Sequence, residues 1–162
     1  MIEIKMSSPH QNPLGQRAVI TPWNPSRSAT ARVKDVSPPP ETCPYCGSSV
    51  ELVNNSEIYG REYGRWPWAY RCAPCEAYVG LHPYTNLPLG TLANYELREA
   101  RKRAKSLFQP LWQNVSTTRS GAYHWLAQRM GIPPEQCHFG WFTLEQCQQA
   151  YEICKSRSGV PL

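Results

Sequence analysis

The sequence predicts an α+β fold, in which a small four-cysteine, zinc-ribbon-like antiparallel β module precedes a three-helix segment and follows an extended or disordered arm. Three observations predict it. Proline and serine dominate the start of the chain, two Cys-x-x-Cys pairs bracket short strand-like stretches, and an apolar repeat at helical spacing follows Thr91. We therefore divide the 162 residues into an arm (1–41), a β module (42–90), a helical segment (91–157) and a tail (158–162).

The arm has little apolar surface. Asn24-Pro25-Ser26 and Pro38-Pro39-Pro40 cannot sustain a helix or a central strand, because proline lacks the backbone donor that both require. With so little to bury, residues 1–41 should remain without stable structure. Residues 18–23 are the one stretch that could dock as an edge strand.

The two cysteine pairs are Cys43-Pro44-Tyr45-Cys46 and Cys72-Ala73-Pro74-Cys75, with 25 residues between them. Two residues between thiolates allow one tight turn to direct both at a single metal ion, and four sulfurs complete the tetrahedral shell of structural Zn²⁺. We predict one zinc ion bound by all four cysteines. Because this shell is closed, it has no position for a catalytic water, and the metal holds the fold together.

Disulfides and a redox pair are the alternatives for these cysteines. The chain has seven cysteines, an odd number that fits a secreted disulfide framework poorly. Its first residues also lack the pattern of a signal peptide. A redox Cys-x-x-Cys usually occurs once, at the start of a helix, whereas this sequence has two. These observations favour zinc.

The β module should contain a hairpin. Residues 50–53 and 57–59 flank Asn54-Asn55-Ser56, and residues 68–71 and 78–80 are further strand candidates. Between them, residues 60–67 form a glycine-rimmed loop that contains Arg61, Arg65 and Trp66. Such a loop suits base stacking or phosphate contact. Its aromatic side chains could equally cap a module that has little core of its own.

The longest helix should span about residues 92–109. Apolar residues recur every three or four positions, and Pro110 should end or kink the helix. Residues 91–115 contain five Lys or Arg against two Asp or Glu, much of the net charge of +5. The cations are Arg98, Arg101, Lys102, Arg103 and Lys105. This face is either an ordinary solvated side of the helix or an anion-binding surface, with Arg98, Arg101, Lys102 and Lys105 as candidate contacts.

Two shorter helices should follow. The first spans about residues 120–130 and stops at Gly131. The second begins with a capping box of Thr143 and Gln146. A second metal site could be built from Cys137, His138, Cys147 and Cys154, but two of these cysteines fall on the apolar stripe of the last helix. Packing is therefore the favoured interpretation.

Several function classes are disfavoured. No stretch approaches the roughly 18 apolar residues of a membrane span, so we expect no membrane association. No nucleophile elbow, phosphate loop or paired-carboxylate motif is recognisable. We therefore expect a binding protein rather than an enzyme, with no small-molecule substrate.

The spaced motifs resemble a family of bacteriophage and prophage proteins that are described as containing a zinc-finger domain of unknown function. The resemblance covers about residues 43–155 and includes Cys43-Pro44-Tyr45-Cys46-Gly47, Tyr59-Gly60-Arg61-Glu62-Tyr63-Gly64, Pro88-Leu89-Gly90-Thr91, Ala122-Tyr123 and Cys137-His138. It implies that Cys43, Cys46, Cys72 and Cys75 bind zinc. A further cysteine common in the family is Leu81 here, which excludes a ligand at that position. The resemblance also implies a phage origin and action in the bacterial cytoplasm.

Two functional hypotheses follow. The first is an accessory protein that contacts nucleic acid through the basic helix and the aromatic loop. The second is an effector that binds and redirects a host protein such as a polymerase, a nuclease or a defence factor. Salt separates the two, because nucleic-acid affinity falls steeply with ionic strength and an aromatic protein interface responds little.

Overall fold

The computed structural model of the protein describes residues 17–113 and 117–157. Three strands and six α-helices make up this part of the chain, with two 3₁₀ turns at Pro134–Gln136 and Phe139–Trp141. The elements in order are α1 (Arg27–Arg32), β1 (Glu51–Asn54), α2 (Ser56–Tyr59), β2 (Trp68–Arg71), β3 (Tyr78–Gly80), α3 (Tyr95–Phe108), α4 (Pro110–Gln113), α5 (Arg119–Met130) and α6 (Leu144–Arg157). The α+β prediction is confirmed.

The three strands form one antiparallel sheet in the order β1-β2-β3. In its centre Leu52 faces Tyr70, which faces Val79. The expected hairpin between residues 50–53 and 57–59 is wrong, because β1 pairs with β2 and residues 56–59 form α2. The Asn54 side chain accepts the Ser56 N–H at 2.9 Å, and this Asx turn starts a helical turn where a strand was expected.

The long helix begins later than predicted. The Asn94 side chain accepts the Leu97 N–H at 3.0 Å and acts as the N-cap, so α3 starts at Tyr95. The residue before the cap belongs to the sheet, since Ala93 and Tyr78 exchange both backbone hydrogen bonds at 3.0 and 3.2 Å. As predicted, the helix ends just before Pro110, which opens the short α4.

The C-terminal end of α5 and the start of α6 are those that the sequence indicates. Gly131 closes α5 with a φ of 71°, in the left-handed region that glycine adopts at low cost. Thr143 and Gln146 cap α6 reciprocally, at 3.2 and 3.0 Å.

Helix α3 packs along α6, and the core between the helices includes Leu97, Ala104, Phe108, Leu126, Phe142, Cys147, Ala150 and Cys154. None of the described helices is both long and apolar enough to cross a lipid bilayer.

The described part of the arm differs from the expected structureless chain. Residues 27–32 form α1, and Ser26 caps it by accepting the Ala29 N–H at 3.2 Å. Proline therefore stands before the helix, in a position that helix formation tolerates, and not inside it. Residues 1–16, where the same expectation applies, lie outside the described residues.

Ring, backbone and side-chain contacts hold this part of the arm against the rest of the protein. Trp23 meets Trp68 of β2 edge to face, with ring centroids 5.1 Å apart. The Ser26 N–H donates to the Tyr84 carbonyl at 2.9 Å, and Asp35 pairs with His138 Nε2 at 3.1 Å. The expected docking of residues 18–23 as an edge strand is wrong, because Val19 is 78 % exposed and Thr21 and Asn24 pair with each other in a turn.

The β module and the helical segment meet at two glycines. The Thr91 N–H donates to the Gly140 carbonyl at 2.8 Å, so the two backbones lie in direct contact. A Cβ on Gly90 would overlap the Gly140 carbonyl, and a Cβ on Gly140 would come within 2.8 Å of the Leu89 carbonyl oxygen. Both positions therefore require glycine because of this close approach.

We expect Gly90→Ala to reduce the free energy of unfolding by about 3 kcal/mol, because backbone cannot move away as a flexible side chain can. The measurement is chemical denaturation of the zinc-loaded protein. Gly80→Ala is the matched control, since its Cβ would meet only the tip of the exposed Leu89 side chain, at 3.3 Å. Equal stability of the two variants would show that the glycine contact is dispensable.

Candidate metal centre

The first cysteine pair lies in a tight turn before β1. The Gly47 N–H donates to the Cys43 carbonyl at 2.9 Å, and the Cys43 N–H donates to the Ser48 carbonyl at 2.8 Å. Gly47 has a φ of 74°, so the turn uses a conformation that suits glycine. This geometry turns Cys43 into the protein, where it is 2 % exposed, and leaves Cys46 at the surface.

The second pair repeats the same turn between β2 and β3. The Glu76 N–H donates to the Cys72 carbonyl at 2.9 Å, and the Cys72 N–H donates to the Ala77 carbonyl at 2.8 Å. Glu76, at the position that matches Gly47, has a φ of 59°. A non-glycine residue in this region costs about 1 kcal/mol or more, so the second turn keeps its shape despite local strain.

The four sulfur atoms lie within 4.8 Å of one another. Cys43 Sγ is 3.3 Å from Cys75 Sγ, and Cys46 Sγ is 3.4 Å from Cys72 Sγ. These distances exceed the roughly 2.05 Å of a disulfide bond and approach the edge of about 3.8 Å of a tetrahedron with Zn–S bonds of about 2.3 Å. The donor set and its spacing therefore fit a tetrahedral zinc ion.

Hydrogen-bond donors favour the thiolate form in the first cysteine pair. Although burial alone raises the pKa of Cys43, the N–H groups of Tyr45 and Cys46 donate to its sulfur and lower that pKa below its ordinary value. The side chain and the backbone N–H of Ser48 lower the pKa of Cys46 to about 6. These donors reduce the cost of deprotonating Cys43 and Cys46 on metal binding. In the second pair, backbone N–H donors also lower the pKa values, but burial and hydrogen bonds with the neighbouring thiols outweigh them and raise the pKa of Cys72 to about 12 and that of Cys75 above its ordinary value.

The core around this centre is small. The buried residues of the cluster are Cys43, Tyr70, Cys72, Ala77, Val79, Leu81 and Leu92, and two of these seven are zinc ligands. A sheet whose strands contain three or four residues cannot bury enough apolar area to fold alone. The metal supplies the missing stabilisation.

The comparisons with known proteins agree with this geometry. Residues 39–157 match the model of a family described as a zinc-finger-containing domain. The chain belongs to this family. No curated protein and no solved structure matches it. Together, the family and the sulfur cluster confirm the prediction of one structural zinc ion, with Cys43, Cys46, Cys72 and Cys75 as its ligands.

The other cysteines lie in the helical core. Cys137, Cys147 and Cys154 are each at most 1 % exposed, and burial raises the pKa values of Cys137 and Cys154 to about 11. His138 is engaged by Asp35. In residues 17–113 and 117–157, the one group of three or more side chains able to hold a metal is the four-cysteine cluster. The buried cysteines pack there as small apolar residues.

Arg101, one of the predicted contact residues, has a structural position. Its Nε and Nη2 donate to the Phe142 carbonyl at 3.2 and 3.1 Å, and its Nη1 and Nη2 donate to the Thr91 carbonyl and hydroxyl at 3.1 and 2.5 Å. The expectation of a free phosphate-binding side chain is therefore corrected. The spacing in the sequence indicates this inward position, because Arg101 stands four residues after the buried Leu97 and three before the buried Ala104.

Of the other predicted contact residues, some pack against the protein and some face solvent. Trp66 turns inward, donates its indole N–H to the Thr85 carbonyl at 3.0 Å and packs against Tyr84. Arg61, Arg65, Lys102 and Lys105 are exposed. Arg98 is half-buried at the start of α3, where it donates to the Ala93 carbonyl at 2.7 Å and contacts the Tyr78 ring.

Removing one ligand should abolish zinc binding. We expect Cys72→Ser to lower the zinc content from one equivalent to well below half, and to unfold residues 42–90, because structural zinc contributes on the order of 10 kcal/mol in finger peptides. Metal analysis and thermal melting measure both effects. Cys147→Ala is the control, since it should lower the melting temperature by creating a cavity while one zinc equivalent remains. Unchanged zinc content in Cys72→Ser would contradict the assignment.

We expect Arg101→Ala to destabilise the protein by about 2 kcal/mol, because two carbonyls and a hydroxyl lose a charged donor. Lys102→Ala, the exposed neighbour, should change stability by less than about 0.5 kcal/mol. Urea denaturation of both variants gives the comparison. If both variants unfold at the same urea concentration, the hydrogen bonds of Arg101 are not stabilising.

Proposed function

We propose that this protein is a zinc-stabilised accessory protein that contacts single-stranded nucleic acid through a partly exposed row of arginine and tyrosine side chains. Arg98, Tyr78, Tyr59, Tyr63 and Arg61 form this arginine–tyrosine row. It joins the start of α3 to the loop between α2 and β2, the two elements that the sequence singles out for binding. That continuity is the observation that carries the proposal.

Each step of the row is a direct contact. The Arg98 guanidinium lies 3.9 Å from the centroid of the Tyr78 ring. Tyr78 meets Tyr59 edge to face at 5.8 Å, and Tyr59 meets Tyr63 in the same way at 5.3 Å. The Arg61 guanidinium then lies 4.2 Å from the Tyr63 centroid. Three successive rings with a cation at each end suit phosphates and bases together.

The loop that displays the row is held in place by side-chain hydrogen bonds. Asn55 donates to the Tyr63 carbonyl at 2.9 Å and accepts the Tyr63 N–H at 3.0 Å. Asn54 donates to the carboxylate of Glu62, within the same loop, at 3.1 Å. Because these contacts order the loop in the free protein, binding costs less conformational entropy than it would for a flexible loop.

The row remains available to a partner. Tyr59 and Tyr63 are 48 % and 45 % exposed, and burial together with the Tyr78 hydroxyl raises the pKa of Tyr59 to about 12, so this ring carries no negative charge at neutral pH. Arg61 and Arg65 have no carboxylate partner within residues 17–113 and 117–157. An unneutralised cation beside an exposed ring favours a phosphate and its base over an uncharged, apolar partner.

The resemblance to phage and prophage proteins supports a setting for this binding. We propose that the protein meets its nucleic acid in the cytoplasm of an infected or lysogenic bacterium. The exposed Lys102 and Lys105 on α3 then extend the positive surface beyond the row.

The test is a fluorescence titration of labelled single-stranded DNA and RNA with the zinc-loaded protein at low and moderate salt. We expect Arg61→Gln combined with Tyr63→Leu to weaken binding at least about tenfold, because base stacking contributes about 1–3 kcal/mol per base. It should also reduce the salt slope by about one unit. Arg129→Gln, an exposed cation on α5, is the matched control. Wild-type binding no tighter than about 10 μM at low salt would overturn the proposal.

Binding of a host protein is the second candidate, and a groove between α3 and α6 favours it. The groove has a volume of about 450 Å³ and includes Tyr95, Glu96, Glu99 and Leu144. Tyr95 is 72 % exposed, and an exposed aromatic side chain beside a groove is a common feature of protein-binding surfaces. Capture of a partner from host lysate that survives both nuclease treatment and raised salt would favour this function over nucleic-acid binding.

A further inference from the structure

A cavity of about 420 Å³ lies between the arm, the loop that follows β3 and the second 3₁₀ turn. Ligand sites of small molecules commonly fall in the range of roughly 300–1,000 Å³. The side chains around it that carry chemistry are Arg32, Lys34, Asp35, His82, Tyr84, His138 and Trp141. None of them belongs to the zinc centre or to the arginine–tyrosine row.

One side of this cavity is positively charged. Arg32 ends α1 and Lys34 follows it, and both are exposed. Neither side chain has an ion-pair partner in the described ranges 17–113 and 117–157. The carboxylate of Asp35, which also lines the cavity, contacts His138 Nε2 at 3.1 Å and pairs with neither cation, so two cations accompany one carboxylate at this wall. This arrangement suits a phosphate group.

The other side of the cavity is aromatic. Tyr84 is 43 % exposed, and its position is held because its carbonyl accepts the Ser26 N–H and its ring packs on Trp66 with centroids 5.3 Å apart. Trp141 is half-buried, and its ring centroid lies 4.5 Å from that of the His138 ring. Supported aromatic rings at a cavity wall are surfaces on which a planar base can stack.

We propose that this cavity binds a nucleoside monophosphate, with the base against Trp141 and Tyr84 and the phosphate at Arg32 and Lys34. A simple anion would make no use of the aromatic wall, and an apolar ligand would leave two cations beside it without a partner. The site goes beyond the proposed function, because it lies outside the arginine–tyrosine row. The nucleotide is either free or the 5′ terminus of a strand, since both present the same base and phosphate.

The first experiment titrates the full-length, zinc-loaded protein with AMP, GMP, CMP and UMP, followed by calorimetry and tryptophan fluorescence. We expect at least one nucleotide to bind with a Kd below about 100 μM, and the matching nucleoside and ribose 5-phosphate to bind at least about tenfold more weakly, a difference of about 1.4 kcal/mol each. No saturation by any of the four up to about 5 mM overturns the proposal. Equal binding of ribose 5-phosphate also overturns it, since that result shows an anion site only.

Two variants locate the binding. Arg32→Ala combined with Lys34→Ala should weaken the nucleotide at least about tenfold, leave the affinity for the nucleoside unchanged and leave the fold intact, because both side chains are exposed. Tyr84→Leu should weaken nucleotide and nucleoside alike. The matched control is Arg129→Ala. If the double variant binds the nucleotide as the wild type does, the phosphate is not held in this cavity and the proposal is wrong.

A trinucleotide with and without a 5′ phosphate distinguishes the two sources. Binding that requires the 5′ phosphate and is lost with Arg32→Ala and Lys34→Ala identifies a strand end, whereas binding of the mononucleotide alone identifies a free nucleotide. Arg61→Gln with Tyr63→Leu should leave mononucleotide affinity unchanged. If the cavity binds no nucleotide, the binding measurements on the arginine–tyrosine row can therefore still be interpreted, and the reverse also holds.

Discussion

The tetrahedral contact between zinc and four thiolates is the constraint on which the rest of this structure depends. The strands of the sheet are too short to hold one another, and the metal ties the turn before β1 to the turn between β2 and β3. This connection fixes the direction in which β3 leaves the zinc centre. Tyr78 at the start of β3 then supports both Arg98 and Tyr59, so the metal positions a surface that it does not touch.

A second set of contacts holds residues 90 and 91, where the zinc module ends, against the helical segment. The Arg101 guanidinium donates to backbone carbonyls, and Gly90 lies against Gly140. Both contacts are made to backbone atoms and not between packed apolar side chains. The net charge of the helical segment therefore overstates the charge available to a partner, and the exposed cations on the loop and on the arm gain importance.

The arm shows how a polar segment becomes ordered without an apolar face of its own. Helix α1 has no buried residue, and the contacts that hold the arm include one edge-to-face ring contact, two backbone hydrogen bonds and the pairing of Asp35 with His138. Each is weak alone, but together they span both the zinc module and the helical segment. Their consequence is a cavity whose walls come from three separate stretches of chain, which no local pattern indicates.

The sequence by itself determined the zinc ligands, the α+β class, the C-terminal ends of α3 and α5 and the start of α6, because turns, caps and tetrahedral ligand spacing are encoded within a few consecutive residues. Cys43 to Cys46 and Thr143 to Gln146 are examples in which the local pattern is sufficient. Tertiary structure alone decided that β1 pairs with β2, that Arg101 finds its acceptors at Thr91 and Phe142 and that the arm packs beside Tyr84. Those outcomes depend on contacts between residues far apart in the chain. Such contacts stabilise the protein only once the zinc module and the helices have packed together.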